Sequence, residues 1–242
     1  YNFTDIYAGV RYRLKSGIFT FTPGFTLHSY NSNNTQYGLE TFEDKFFQFL
    51  PEFETIAQFK QSESLRFSYR QQVNFTDVVQ IARGIVARDY DSFFAGNPEL
   101  INASFHNVSL NYRSFNLFNN SNVFSRINYT KTIDQVNTNL NIPAGSIVSN
   151  STSKNSPLDN ESFTASLFAG KRFGKIQTGL GGNYNYNKSY QFINDVDNKN
   201  INNSYGFNAR VGTNFRKAPN VTLRYNVSFL NQENTARPDV FK

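Results

Sequence analysis

Val221-Thr222-Leu223-Arg224-Tyr225-Asn226-Val227-Ser228-Phe229 reads as one strand with two unlike faces. Val221, Leu223, Tyr225, Val227 and Phe229 fall on one side, and Thr222, Arg224, Asn226 and Ser228 on the other. Successive side chains of a strand point to opposite faces, so this segment divides an apolar medium from water along its whole length.

The pattern repeats outward from there. Across the turn Arg216-Lys217-Ala218-Pro219, residues Tyr205, Phe207, Ala209, Val211 and Phe215 alternate with Ser204, Gly206, Asn208, Arg210 and Asn214. Ile176, Leu180, Tyr184 and Tyr186 oppose Gln177, Gly179, Asn183 and Asn185, and Phe163, Ala165, Leu167 and Ala169 oppose Thr164, Ser166 and Gly170. Val108, Leu110 and Tyr112 oppose Ser109, Asn111 and Arg113; Leu65, Phe67 and Tyr69 oppose Arg66, Ser68 and Arg70. Phe19, Phe21, Phe25 and Leu27 oppose Thr20, Thr22, Thr26 and His28, and the first strand sets Ile6, Ala8, Val10, Tyr12 and Leu14 against Arg11 and Arg13.

Connection lengths add independent evidence. Tight turns near 15–17, 60–63, 116–121, 172–175 and 216–219 alternate with long polar loops at about 31–44, 74–103, 132–160 and 187–202. Segregation of loop length by parity is a habit of outer-membrane barrels, whose periplasmic turns are short and extracellular loops long. A soluble sandwich has alternating strands but no reason for such parity. The tight turns carry Lys15, Lys60, Lys175, Arg216 and Lys217, and the long loops Glu40, Glu43, Asp44, Asp89, Asp91, Asp195 and Asp197, so one rim is expected to be basic and the other acidic.

Composition agrees. Mean hydropathy is −0.53, and no run approaches the roughly 18 apolar residues of a spanning helix. A barrel strand shows lipid only every second side chain, so low average hydropathy is compatible with membrane insertion. With no Cys, a disulfide framework and a thiolate metal site are excluded. Trp is absent as well, so an aromatic belt must come from the 26 Phe and 14 Tyr. The +6 net charge is spread singly or in pairs, which predicts a polar lumen and basic turns rather than a nucleic-acid groove. The fold class expected is therefore all-β, an antiparallel transmembrane β-barrel of about ten strands facing membrane lipid. The polar segment 233–242, with no returning strand, and the lack of a starting Met predict a piece of a larger barrel whose remaining strands lie elsewhere.

The stretch 49–116 carries a family resemblance. Phe49-Leu50-Pro51 opens a strand, and Lys60-Gln61-Ser62-Glu63-Ser64 turns into Leu65-Arg66-Phe67-Ser68-Tyr69-Arg70-Gln71-Gln72-Val73. Gly96-Asn97-Pro98-Glu99-Leu100 then precedes Asn107-Val108-Ser109-Leu110-Asn111-Tyr112. This order resembles the barrel of TonB-dependent outer-membrane transporters, and more narrowly the outer membrane protein β-barrel family found beside carboxypeptidase-regulatory-like domains. It departs from the family pattern at Arg70-Gln71-Gln72 and at Ile101-Asn102. The resemblance implies a 22-stranded barrel in the bacterial outer membrane, occluded by its own plug domain. It further implies energised solute uptake, with a periplasmic energising protein and a surface lipoprotein as partners. The alternatives are a passive porin-like or structural barrel and a soluble β-sandwich adhesin.

Candidate lumen residues, facing substrate or plug, are Arg11, Arg13, Arg66, Arg70, Arg113, Arg126, Arg210 and Arg224. Their plain alternative is a hydrated wall, since porin-like interiors are polar whatever passes through them. Asp195-Val196-Asp197-Asn198 lacks the glycine and terminal glutamate of a calcium loop. His28 is expected on the lumen face and His106 at the rim, without a catalytic constellation around either. Neither metal, cofactor nor enzymatic activity is expected. Asn-x-Ser/Thr triplets such as Asn107-Val108-Ser109 and Asn226-Val227-Ser228 fall inside strands, and Gly179, Gly181 and Gly182 predict a bend or a close approach.

Overall fold

The computed structural model describes residues 2–36, 40–143, 145 and 147–235. Its backbone is dominated by one antiparallel meander. The strands are β1 (Asn2–Arg11), β2 (Leu14–Ser16), β3 (Phe19–Gln36), β4 (Glu40–Lys60), β5 (Glu63–Asn74), β6 (Ile85–Asp89), β7 (Ser92–Ala95), β8 (Ala103–Asn116), β9 (Ser121–Ile133), β10 (Val136–Asn141), β11 (Ser149–Asn155), β12 (Asn160–Phe173), β13 (Ile176–Ile193), β14 (Val196–Thr213) and β15 (Thr222–Asn234). Ten long strands pair in the order β1-β3-β4-β5-β8-β9-β12-β13-β14-β15, and β2 continues β1 along β3. The expectation of about ten membrane-crossing strands matches this wall.

The one interruption has a local cause. Tyr12 donates its N–H to the Pro23 carbonyl at 3.0 Å. Proline returns no N–H to its neighbour, and the ladder between β1 and β2 opens at Tyr12 and Arg13. The tight turns fall where the sequence places them. Gly17 and Gly174 adopt φ of 57°, which costs glycine no side-chain clash.

Register carries one face continuously across the wall. Ala57, Leu65, Tyr112, Ser125, Leu167, Gly182, Phe207 and Val227 lie in one cross-strand row, and their even- or odd-numbered neighbours on each strand share that face. Aromatic pairs such as Phe25–Phe49 (5.4 Å) and Tyr205–Phe229 (5.3 Å) line it. Val221, Tyr225 and Phe229 are 58%, 62% and 53% exposed. Among the described residues no second layer covers this face as the facing sheet of a sandwich would, and lipid is the partner its chemistry suits.

All four long connections carry regular structure where the sequence predicts loops. Residues 187–202 form a protruding hairpin, closed by Asn194 and Asp195 at φ of 52° and 62°, the signature of a two-residue type I′ turn. Likewise β3 and β4 stay paired through Gln36 and Glu40. Beyond the membrane both strand faces meet water, so alternation vanishes while pairing continues. The other two connections fold as an annex. β7 pairs in parallel with β11, β11 antiparallel with β10, and β10 in parallel with the extension of β13. The buried residues Phe94, Leu100, Ala103 and Phe192 belong to this end of the molecule. The loop tip at 37–39, the side chains of Glu40, Glu43 and Asp44, Tyr1, and the tail 236–242 lie outside the described residues.

Candidate functional site: the inward polar wall

Opposite the apolar face, seven of the eight candidate arginines share the inward face by register, and Arg13 lies in the break between β1 and β2. They form two groups with different electrostatics. In the first, Arg11 grips Glu52 in a bidentate pair, with Nη2 donating to Oε2 at 2.8 Å, while Arg70 approaches the same carboxylate at 3.5 Å. Arg66 lies 3.8 Å from Glu54. These charges largely neutralise one another.

In the second group, Arg113 and Arg126 meet neutral oxygen. Arg113 Nε donates to Ser64 Oγ at 2.9 Å, and Arg126 Nε donates to Asn111 Oδ1 at 3.0 Å. Arg210 and Arg224 stand directly opposite each other on β14 and β15. Among the described residues, the inward positions of β8, β9, β12, β13, β14 and β15 carry no carboxylate.

Between the arginines runs a belt of amides and hydroxyls. Asn107 donates to Gln72 (3.1 Å) and accepts from Thr130 (2.8 Å); Ser68 and Ser109 share a bond of 2.7 Å. Asn128 donates to Thr164 and Asn185 to Ser204. Such groups satisfy each other only in part and leave lone pairs and protons for water or solute.

The outward face marks where lipid ends. Above the row Tyr129–Phe163–Tyr186 lies the charged row Lys131–Glu161–Lys188. Lys188 pairs with Glu161 and Lys131 with Asp159, each at 2.6 Å. Those hydrogen bonds raise both ammonium pKa values above the ordinary lysine value. An aromatic girdle followed by charge is the profile of a membrane–water boundary.

His28 faces inward, 3.0 Å from Asp5 and stacked between Tyr7 and Tyr30. His106 keeps the outward parity of Val108 and meets Tyr69 Oη at 2.9 Å. Asp195 accepts from Asn139 at 2.9 Å and lies 3.7 Å from Lys154, so protein donors occupy its carboxylate. Gly179 lies beneath the Phe168 ring and Gly181 beneath the Asn208 amide, where a Cβ would come within 3.3 and 2.6 Å respectively.

The Gly96-Asn97-Pro98-Glu99-Leu100 stretch acts as a clasp. A Cβ on Gly96 would meet the Ala82 carbonyl at 2.2 Å, a backbone atom that cannot swing away. Asn97 donates its N–H to Gln80 (2.6 Å) and its amide to the Ser153 carbonyl (3.2 Å). One turn on, Asn155 exchanges two hydrogen bonds with the Ile101 backbone and donates a third to Asp134. The clasp ties the 74–103 connection to the β10–β11 hairpin.

Sequence reasoning missed Glu52 and Glu54, whose roles depend on register. It also missed Phe124 and Phe168, although each is aromatic at a position out of phase with its strand.

The chain matches the model of the outer membrane protein beta-barrel family over residues 2–239. No curated protein matches it in a sequence search. Among solved structures, the FrpB iron transporter from Neisseria meningitidis (F3-3 variant) is similar at a TM-score of 0.52 and 13% identity, over 95% of this chain. A copper transporter, OprC, is similar at 0.53 and 11%, also over 95%. At these identities the likeness is one of fold. The chain spans 38% and 39% of the length of those two proteins.

Proposed function

The chain belongs to the outer membrane protein β-barrel family of the bacterial outer membrane, and from that premise we propose that it forms part of the wall of a solute transporter. The observation that carries the reading is the pairing of a continuous lipid-facing surface with a hydrated, hydrogen-bonding inner surface across all ten strands.

Both β1 and β15 pair on one side only among the described residues. Unpaired backbone groups in hydrocarbon cost several kcal/mol each, so these edges call for further strands that close the barrel. In this reading the complete barrel has 22 strands, and a plug occludes it. A periplasmic protein energises the plug, and a surface lipoprotein is a further partner on the loop side. The inward arginines then face the solute path or the plug. Similarity to iron and copper transporters supports transport as the task without assigning either metal to this chain.

Energy coupling separates a driven transporter from a passive barrel. Cells lacking the gene should lose uptake of the cognate solute, and a protonophore should abolish uptake in intact cells. Uptake that needs the gene but ignores the protonophore would make the barrel a passive pore. A deletion strain with unchanged uptake of every solute screened would contradict transport altogether.

A further inference from the structure

We propose that the inward concavity around Phe124 and Phe168 binds an organic anion carrying a flat apolar ring. The proposal rests on reading this face as the solute side of a transporter wall. Phe124 and Phe168 are cross-strand partners on β9 and β12, 47% and 40% exposed, and the other inward positions of those two strands carry amides, hydroxyls, guanidinium groups and one glycine. Apolar rings held in water are unfavourable unless something covers them.

The concavity they line measures about 750 Å³, the size range of sites that enclose small organic molecules. Arg113 and Arg126 line it as well. Each spends its Nε on a neutral oxygen, which orients the planar fork and leaves the charge uncancelled. A smaller concavity of about 330 Å³ shares Phe168 and adds Arg210. Arg210 faces Arg224 across the ladder, an arrangement of like charges that an anion relieves.

The ring of Phe168 is fixed from below. It lies across the directly paired Gly170 and Gly179, within 3.3 Å of where a Cβ on either would stand. Glycine at both positions presses the ring onto the sheet and leaves its other face to the lumen. Among the described residues no carboxylate lines either concavity, which leaves a free metal cation without ligands, and a neutral hydrocarbon has no use for the guanidinium groups of Arg66, Arg113 and Arg126 around the larger one. A carboxylate, sulfonate or phosphate on an aromatic body satisfies both features.

The native protein, purified from outer membranes in detergent, tests this with 1-naphthoate, its neutral analogue 1-naphthalenemethanol, and acetate, by equilibrium dialysis. Naphthoate should bind at least about tenfold more tightly than either half-ligand. Replacing Arg113→Gln together with Arg126→Gln should lower naphthoate affinity about tenfold and leave the alcohol unchanged. Phe168→Leu should lower naphthoate affinity about fivefold and leave acetate unchanged. Unaltered heat-modifiable gel mobility certifies each variant as folded. Equal affinity for naphthoate and the alcohol, or insensitivity to the arginine substitutions, overturns the site. Absence of naphthoate binding overturns it too, and is the result expected if a protein segment fills the concavity. None of these results touches the transport reading, which stands or falls on uptake.

Discussion

At the scale of single residues, the clearest case is Gly96. Its replacement by valine places a branched side chain against the Ala82 carbonyl, with no flexible atom to yield. The clasp should open, at a cost on the order of 2 kcal/mol to the loop annex. Backbone amides of 78–101 and 149–156 should exchange faster while those of β12 and β13 stay protected; equal protection in wild type and variant would show that the clasp is dispensable. The arginines illustrate how far sequence reaches at this scale. Period-2 alternation by itself places Arg66, Arg113, Arg210 and Arg224 on the polar face. Their partners were another matter, because Glu52 meets Arg11 and Arg70 only through the alignment of β1, β3, β4 and β5. Replacing Glu52→Gln should cost no more than about 1 kcal/mol in denaturant unfolding, since its partners are half exposed. A loss several times larger would mean that this pair is shielded from solvent.

Elements show where legibility changes along a strand. Inside the membrane zone lipid demands an apolar residue at every second position, and β12, β13, β14 and β15 advertise themselves accordingly. Past the Lys131–Glu161–Lys188 row both faces are wet, and the same β13 and β14 continue as Asn- and Ser-rich sequence that resembles a loop. Turn chemistry was the available signal. Asn194 and Asp195 tolerate positive φ better than other non-glycine residues, so Asn194→Gly should leave the hairpin intact. Asn194→Val should destabilise it by roughly 1–2 kcal/mol. Protection of amides in 189–200 measures both, and equal exchange in the two variants would argue against the I′ turn. The parallel pairings of β7 with β11 and β10 with β13 were not legible at all, because four-residue and two-residue registers leave no periodic trace.

The whole molecule is a bilayer-facing arc with a wet inner wall, and its stability follows from where charge is tolerated. Leu223→Arg puts a guanidinium into lipid and should cost about 2–4 kcal/mol if the residue lies near the midplane. Asn226→Arg, on the same strand but facing inward, should be close to neutral in reconstituted liposomes. Comparable costs for the two would remove the distinction between faces. The natural absence of cysteine makes a still more direct measurement available. Single cysteines at each position from Thr222 to Phe229, spin-labelled in liposomes, report collision with lipid-dissolved oxygen and with a water-soluble paramagnetic reagent. Oxygen accessibility should peak at Leu223, Tyr225, Val227 and Phe229, and reagent accessibility at Thr222, Arg224, Asn226 and Ser228. Profiles without a two-residue period, or odd positions closed to both reagents, would contradict a membrane-spanning wall.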